Sequence, residues 1–467
     1  MNDKQTKKGN ALALLPFLLF VMIYLGAGLL LQSQGVEMAF YQFPSVTAMF
    51  IALLLSFALT KGSMQDRFKI FSQGAANEDV LTMLVIYLLA GAFSSVASAM
   101  GGLDSTINLG LSFIPVNFLA AGLFLISAFM GTATGSSMGT ISAIVPIAVG
   151  IADKSGLSTT FMLGACIGGA MFGDNLSIIS DTTIAATRSQ GVDMRDKFKV
   201  NLKIALPAAL ITFLLLLIFG RPDQMVTITK LDYNLIKVIP YILVLLLAIS
   251  GMNVFVVLTI GIFTSGIIGL CTNSFDIFMF AQSIYSGFTG MNEVFFLTLF
   301  CAGMSTLVAH NGGITWLIET LKKFIKGKKS AQLGILTLVS LADCATANNT
   351  VAIVVSGNMA KDISYEFGVD PRRTASLLDI FACVIQGIIP YGAQLLIATS
   401  LANSYGIMIA PVDIIPSIWY CLILAVFGIL SIFIPFADSL FKKDPWDFTH
   451  KCPTSMLIHK NKKENKS

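Results

Sequence analysis

Residues 168–183 read Gly168-Gly169-Ala170-Met171-Phe172-Gly173-Asp174-Asn175-Leu176-Ser177-Ile178-Ile179-Ser180-Asp181-Thr182-Thr183. They lie inside an apolar run, 161–187, that is long enough to cross ~30 Å of hydrocarbon as a helix. Two carboxylates within such a run are costly and each needs a partner or a task. Similar runs recur along the whole chain and lack the period-2 alternation of a membrane barrel. The chain has 467 residues, 55% hydrophobic and 12% charged, with a mean hydropathy of +0.79. One soluble core could not hide that much apolar surface. The expected fold is therefore an all-α polytopic membrane protein.

A net charge of +4, with Lys and Arg gathered in loops and tails, is an orientation signal and argues against a nucleic-acid partner. The seven cysteines, at 166, 271, 301, 344, 383, 421 and 452, form no CxxC pair, which argues against a zinc site or a disulfide framework. No P-loop is present, which argues against an ATP-driven pump. Gly135-Ser136-Ser137-Met138-Gly139 fits a GxSxG pattern, but it follows no strand and none of the three His pairs with it. The chain is not expected to be an enzyme, and no cofactor is expected.

The sequence also repeats, at an offset of about 210–215 residues. Ala90-Gly91 is echoed by Ala302-Gly303 and Thr132-Ala133-Thr134-Gly135 by Thr346-Ala347-Asn348-Asn349, while Leu15-Pro16-Phe17 is echoed somewhat further on, by Ile239-Pro240-Tyr241. Loop charge has opposite bias in the two halves. Lys61, Arg67 and Lys69 face a stretch, 272–292, without Lys or Arg, while 101–118 has no basic residue and its counterpart carries Lys322, Lys323, Lys326, Lys328 and Lys329. By the positive-inside rule the repeats are inverted. The expected plan is a cytoplasmic tail (1–10), a first transmembrane repeat (11–220), a connecting loop (221–237), a second repeat (238–440) and a cytoplasmic tail (441–467), partly disordered from Lys442. Each repeat has about five crossings and one re-entrant helical hairpin, at 119–151 and 331–360. Both termini are expected in the cytoplasm.

Asp174, Ser177 and Asp181 have i, i+3, i+7 spacing, one face of a helix. The glycines would let that helix break near Gly173, and a break bares carbonyls that can coordinate Na⁺. Asp174, Asn175, Ser177, Asp181 and Thr182 are the expected cation and proton ligands, although Asp181 could instead cap the helix near its cytoplasmic end. Asp343 is a second candidate proton carrier, placed nearer the cytoplasmic entry. Thr132, Thr134, Ser136 and Ser137 on the first hairpin are neutral ligands or small residues for close packing. Thr346, Asn348 and Asn349 on the second are ligands or hydrogen-bond formers between helices. Gln386 and Gln394 flank Pro390-Tyr391-Gly392, where a second broken helix is expected to mirror Phe172-Gly173-Asp174, without an acid to match Asp174. Asp379 reads as interfacial, and no Lys or Arg is expected deep among the helices.

Gly173-Asp174-x-x-Ser177 followed by Ser180-Asp181-Thr182-Thr183 resembles the block of the NhaC family of Na⁺/H⁺ antiporters, in the ion transporter superfamily. The resemblance implies antiport of Na⁺ against H⁺ in a bacterial cytoplasmic (inner) membrane. The expected mechanism is alternating access between the repeats, with Asp174, aided by Asp181 or Asp343, binding Na⁺ when ionised and H⁺ when neutral. Relatives implied by it include exchangers of organic acids and amino-acid carriers, so the alternative is a Na⁺- or H⁺-coupled transporter of a small organic substrate on the same fold. Asn175 and Ile178-Ile179 differ from the Lys and Ser-Pro that organic-acid exchangers tend to carry there. Lipid, Na⁺ and H⁺ are the expected partners, and a homodimer is compatible with the reading.

Overall fold

The computed structural model describes residues 9–34, 36, 42–113, 115–177, 180–220, 232–250 and 252–456. The connecting-loop residues 221–231, Ile178-Ile179, the basic start (1–8) and the Lys-rich end (457–467) lie outside them. In the first half the helices are α1 (Leu15–Ser33), α2 (Ser45–Leu59), α3 (Met64–Ala75), α4 (Glu78–Ala99), α5 (Gly102–Phe113), α6 (Leu119–Thr134), α7 (Ser137–Ser155), α8 (Thr159–Leu176), α9 (Asp181–Gln190) and α10 (Met194–Phe219). The second half follows with α11 (Leu235–Ile249), α12 (Val254–Cys271), α13 (Ile277–Gly290), α14 (Asn292–His310), α15 (Gly313–Lys322), α16 (Lys328–Thr346), α17 (Asn349–Glu366), α18 (Pro371–Ile388), α19 (Ala393–Ser404), α20 (Pro411–Ile414) and α21 (Trp419–Phe433). Among the described residues, eight helices are long and apolar enough to cross a membrane, or up to ten if each bent pair is one span. The protein is an all-α polytopic membrane protein.

The internal repeat is visible in both boundaries and packing. Helices α7 and α17 start at 137 and 349, α8 and α18 at 159 and 371, α9 and α19 at 181 and 393, a constant offset of 212. The echo expected between Thr132 and Thr346 is therefore two residues out of register: Thr134 matches Thr346, Gly135 matches Ala347, and Asp174 matches Gln386 rather than the Pro390-Tyr391-Gly392 turn. Packing partners are exchanged between the halves. Helix α4 packs on α13 while α3 packs on α14, α7 on α19 while α17 packs on α9, and α8 on α21 while α18 packs on α10. Such exchange is what a two-fold relation between the repeats produces.

Small residues allow the closest of these contacts. A Cβ on Gly91 would stand 2.2 Å from the Gly287 carbonyl oxygen, and one on Gly287 2.4 Å from that of Gly91. Gly169 and Gly173, one turn apart on α8, press against α6, where added Cβ atoms would come within 2.3 Å of Phe124 O and 2.5 Å of Thr132 N. Gly173 is thus a packing residue inside an unbroken turn. The expected break near it is displaced: α8 runs on to Leu176, and Ser177, with ψ 137°, leaves the helix.

The loop readings at 61–69, 101–118 and 272–292 are also revised, because α3, α5 and α13 occupy them. Helix α3 starts at a reciprocal cap in which Ser63 and Asp66 bond each other's backbone. The stretch from Lys442 is not wholly a loose tail. A short antiparallel pair joins Trp446 to Pro453, Trp446 is buried, and Arg372 donates to the Asp444 carbonyl at 2.6 Å.

Candidate functional site

Helices α6 and α7 form one hairpin, and α16 and α17 the other. Each turns on a residue in the left-handed region, Gly135 at φ 67° and Ala347 at φ 49°. Ser136 then caps α7 by accepting from Gly139 N, and Asn348 caps α17 by accepting from Val351 N. Thr134 and Thr346 donate across their turns to Ser136 O and Asn348 O. The hairpins therefore follow the same local chemistry 212 residues apart. Their tips meet the two helix breaks, between α8 and α9 and between α18 and α19.

At that meeting point is a small cavity, about 30 Å³ open to a water-sized sphere, enough for a water or a bare ion. Ser136, Ser137, Asp174, Asp181, Asn348, Asn349, Gln386 and Gln394 line it, with Met83, Met138 and Ala393. No Lys or Arg does. Asp174, 3% exposed, accepts from Ser137 Oγ at 2.9 Å and Ser180 Oγ at 2.6 Å. Asp181 accepts from Thr350 Oγ1 at 2.8 Å. Gln394 Nε2 donates to Ser137 Oγ at 3.1 Å, and Gln386 Nε2 donates to Gln394 Oε1 at 2.8 Å and to Ala347 O at 3.2 Å. This network joins both tips to both breaks. It uses up the donors of Gln386 and leaves its Oε1, buried, without a donor.

Other expected ligands are elsewhere. Asn175, Ser177 and Thr182 are buried outside the cavity. The Asn175 carbonyl, at the bared end of α8, is not open to a cation, because Lys197 Nζ and Asn201 Nδ2 donate to it at 3.0 and 3.1 Å. Ser177 O accepts from Thr183, and Thr182 bonds Ser180. Asp181 does not share a helix face with Asp174, since a break separates them. Thr132 donates back into α6 at Ala128 O, and Thr134 is spent on its turn. Asp343 is fully buried in α16 and does not line this cavity, and neither of its oxygens has a close hydrogen-bond partner among the described residues. Thr346 lies outside the small cavity and lines a larger neighbouring chamber.

The sequence reading missed Lys197 and misplaced Asp379. Lys197 belongs to the first turn of α10, and its ammonium pairs with Asp379 Oδ2 at 2.7 Å, the side chains 1% and 0% exposed. Thr183 Oγ1 is a further acceptor at 2.7 Å, and Asn175 and Asn201 also donate to Asp379 Oδ2. Asp379 is thus an interior residue, and a Lys is indeed buried among the helices. A signal was available: Asp193 is a good N-cap, and a helix begun there takes Lys197 into its first turn.

Two repeats whose hairpin tips and helix breaks close on one polar cavity define a membrane carrier, a secondary transporter. The chain belongs to the Na⁺/H⁺ antiporter family, whose model matches residues 1–221 and 225–435. It is a transporter of antiporter type, not an enzyme. The chain is 24% identical to the malate-2H⁺/Na⁺-lactate antiporter of Bacillus subtilis, over 81% of this chain and 87% of the relative. It is 25% identical to the Na⁺/H⁺ antiporter NhaC of the same organism, over 76% and 84%. A solved structure, the Alcanivorax borkumensis YdaH transporter, aligns over 89% of this chain and 97% of that one at a TM-score of 0.42 and 13% identity.

Proposed function

We propose that this protein exchanges Na⁺ for H⁺ across a bacterial cytoplasmic membrane by alternating access, with the ion in the small cavity at Asp174. The observation that carries the reading is that Gln386, whose buried Oε1 has no donor among the described residues, lines a cavity that also holds two carboxylates and no basic side chain. An acceptor buried without a donor is costly, and a cation between it and Asp174 would satisfy both. Hydroxyl oxygens of Ser136 and Ser137 can add to an oxygen shell, the kind Na⁺ takes. Asp174 and Asp181 bind either the metal ion or a proton, so the two compete for one position, and competition couples their movement.

Access supports the same reading. The larger chamber beside the cavity has exposed Gln73, Asn77 and Ala309 at its rim. Ser305 and Thr306 line it, whereas the positions 212 residues earlier hold Phe93, packed on Tyr241, and Ser94, bonded to Tyr405. One side of the two-fold is open and the other packed, and exchanging the two arrangements would move the cavity's access across the membrane. With the Lys-rich stretches at 61–69 and 322–329 inside, the chamber faces the cytoplasm, as do both termini.

The test is proton efflux from acidified proteoliposomes on adding Na⁺, followed with a pH-sensitive dye. Wild type should dissipate the gradient on Na⁺ addition, and Asp174→Asn should not, while eluting as a folded protein. Wild-type exchange by Asp174→Asn would reject the assignment.

A further inference from the structure

A second polar cavity opens at the end of the molecule that carries the Lys-rich stretch 322–329. It offers about 300 Å³ to a water-sized sphere. Helix α16 contributes Lys328 and Gln332, the start of α18 contributes Asp370 and Arg373, and the segment after α21 contributes Asp438 and Lys442.

Arg373 is 3% exposed. Its Nε donates to Gln332 Oε1 at 3.0 Å and its Nη2 to Ser431 Oγ at 2.6 Å, both neutral acceptors. Its buried Nη1 has no acceptor, and the guanidinium forms no ion pair among the described residues. The adjacent Arg372 is the contrast. Asp370 takes two of its hydrogen bonds, at 3.0 and 2.7 Å, and Asp196 and Asp444 lie at 3.9 and 3.8 Å. A charge taken out of water without a counter-charge is costly. A water molecule could accept from Nη1, but it would not neutralise the guanidinium.

With Asp370 spent on Arg372, the charged groups left at the cavity are Lys328, Arg373 and Lys442 against one carboxylate, Asp438, a surplus of two positive charges. Lys328 and Lys442 are exposed, and neither forms an ion pair among the described residues. Arg and Lys are both suited to phosphate, Arg through its fork of donors and Lys as a point charge. The N-terminus of the 18-residue α18 favours an anion at the same place. We infer that this cavity binds a phosphate dianion, with Arg373 as its buried counter-charge and Lys328 and Lys442 at the rim. A lipid headgroup that ends in phosphate and free phosphate share this chemistry, and basic pockets at the ends of membrane spans take headgroups. The site is independent of the cation reading at Asp174. Because the cavity is built from α16, α18 and the segment after α21, a bound phosphate would join two spans to residues 438–448.

The experiment is thermal unfolding of the purified full-length chain in phosphatidylcholine nanodiscs at constant Na⁺, titrated with potassium phosphate or, at matched ionic strength, potassium chloride. Phosphate is expected to raise Tm to a plateau, and chloride is not. The variants spare buried Arg373. Lys328→Gln and Lys442→Gln should each raise the half-saturating concentration about two- to fivefold. Asp438→Asn, which removes the opposing carboxylate, should lower it by a similar factor. Amide exchange from Trp446 to Cys452 should slow with the same half-saturation. A second set of nanodiscs, in phosphate-free buffer, contains phosphatidic acid, a phosphomonoester, or phosphatidylglycerol, a phosphodiester. If the headgroup is the source, phosphatidic acid raises Tm above phosphatidylglycerol, slows the same exchange and removes the response to added phosphate. If free phosphate is the source, the two lipids give the same Tm and added phosphate still acts. The inference is overturned if neither phosphate nor phosphatidic acid raises Tm in the wild type. It is also overturned if the rise is unchanged in all three variants, or if exchange from Trp446 to Cys452 does not respond.

Discussion

Lys197 on α10 and Asp379 on α18 form an ion pair at 2.7 Å with both side chains closed to solvent, one from each repeat. The ammonium is fully used, on Asp379 Oδ2, Thr183 Oγ1 and Asn175 O. It therefore pins the bared end of α8 to α10 and α18, one residue from Asp174. Asp379 receives Asn175 and Asn201 as further donors.

Removing one member of this pair should be far worse than removing both. Lys197→Met leaves a buried carboxylate, and Asp379→Leu a buried ammonium, each costing about 3–5 kcal/mol. The double replacement should cost clearly less than the sum. Thermal unfolding of the four proteins in a double-mutant cycle checks this. Additive losses would show that the two charges act independently.

The same pair marks the limit of what could be read from residues alone. Long apolar runs announced the spans, because a helix must cover the hydrocarbon whatever it packs against, and the observed α8–α9 unit falls where the run 161–187 placed it. The short amphipathic helices α3 and α13 were invisible as spans because each packs mainly on a helix of the other repeat, α14 and α4. Gly173 misled in a specific way. Glycine serves both breaks and close packing, and only the position of α6 against α8 decides between them. Eight of the expected ligands do share one cavity, since polar side chains at hairpin turns and helix breaks have few other places to go. Gln386 could be listed from sequence, but its unmatched Oε1 depends on where Gln394 and Ala347 lie. Lys197 was missed because charge bias reports which side a segment is on, not whether one of its members turns inward.

Ala347 should be improvable. It holds φ 49° at the turn of the second hairpin, where the first hairpin has Gly135 at φ 67°. A side chain in this region costs roughly 1–2 kcal/mol, partly offset by the extra freedom glycine brings to the unfolded chain. Ala347→Gly should leave Tm unchanged or raise it slightly, and Gly135→Ala should lower it by an amount equivalent to about 1 kcal/mol. Melting curves of the two variants beside wild type decide the matter, and a large loss in Ala347→Gly would mean the turn is held by something other than backbone preference.

The crossing of α4 and α13 at Gly91 and Gly287 should not admit a methyl group. Added Cβ atoms would meet backbone oxygen at 2.2 and 2.4 Å, and backbone cannot swing aside as a side chain can. Gly91→Ala or Gly287→Ala should cost about 1–3 kcal/mol by overpacking. The crossing lies on the packed side of the molecule, so both variants should also favour its opening. Accessibility of a cysteine introduced at Ser94 to a membrane-impermeant maleimide, compared with and without the alanine, reads that shift.

The start of α3 should be sensitive to acid. The Ser63 hydroxyl, and then its backbone N–H, donate to Asp66 and hold its carboxyl below the usual carboxylate range. A group with a depressed folded value contributes stability that is complete above the unfolded value and is lost as pH falls through the folded one. Amide hydrogen exchange in α3 should therefore accelerate below the ordinary aspartate range while α4 stays protected. Asp66→Asn keeps an acceptor but removes the titration, so its exchange should be faster than wild type near neutral pH and nearly flat with acidification. Helix α3 carries Gln73 and Gly74 at the chamber wall, so fraying there should widen the chamber mouth without touching Asp174. A wild-type exchange profile that is flat across the same pH range would separate the cap from the stability of α3.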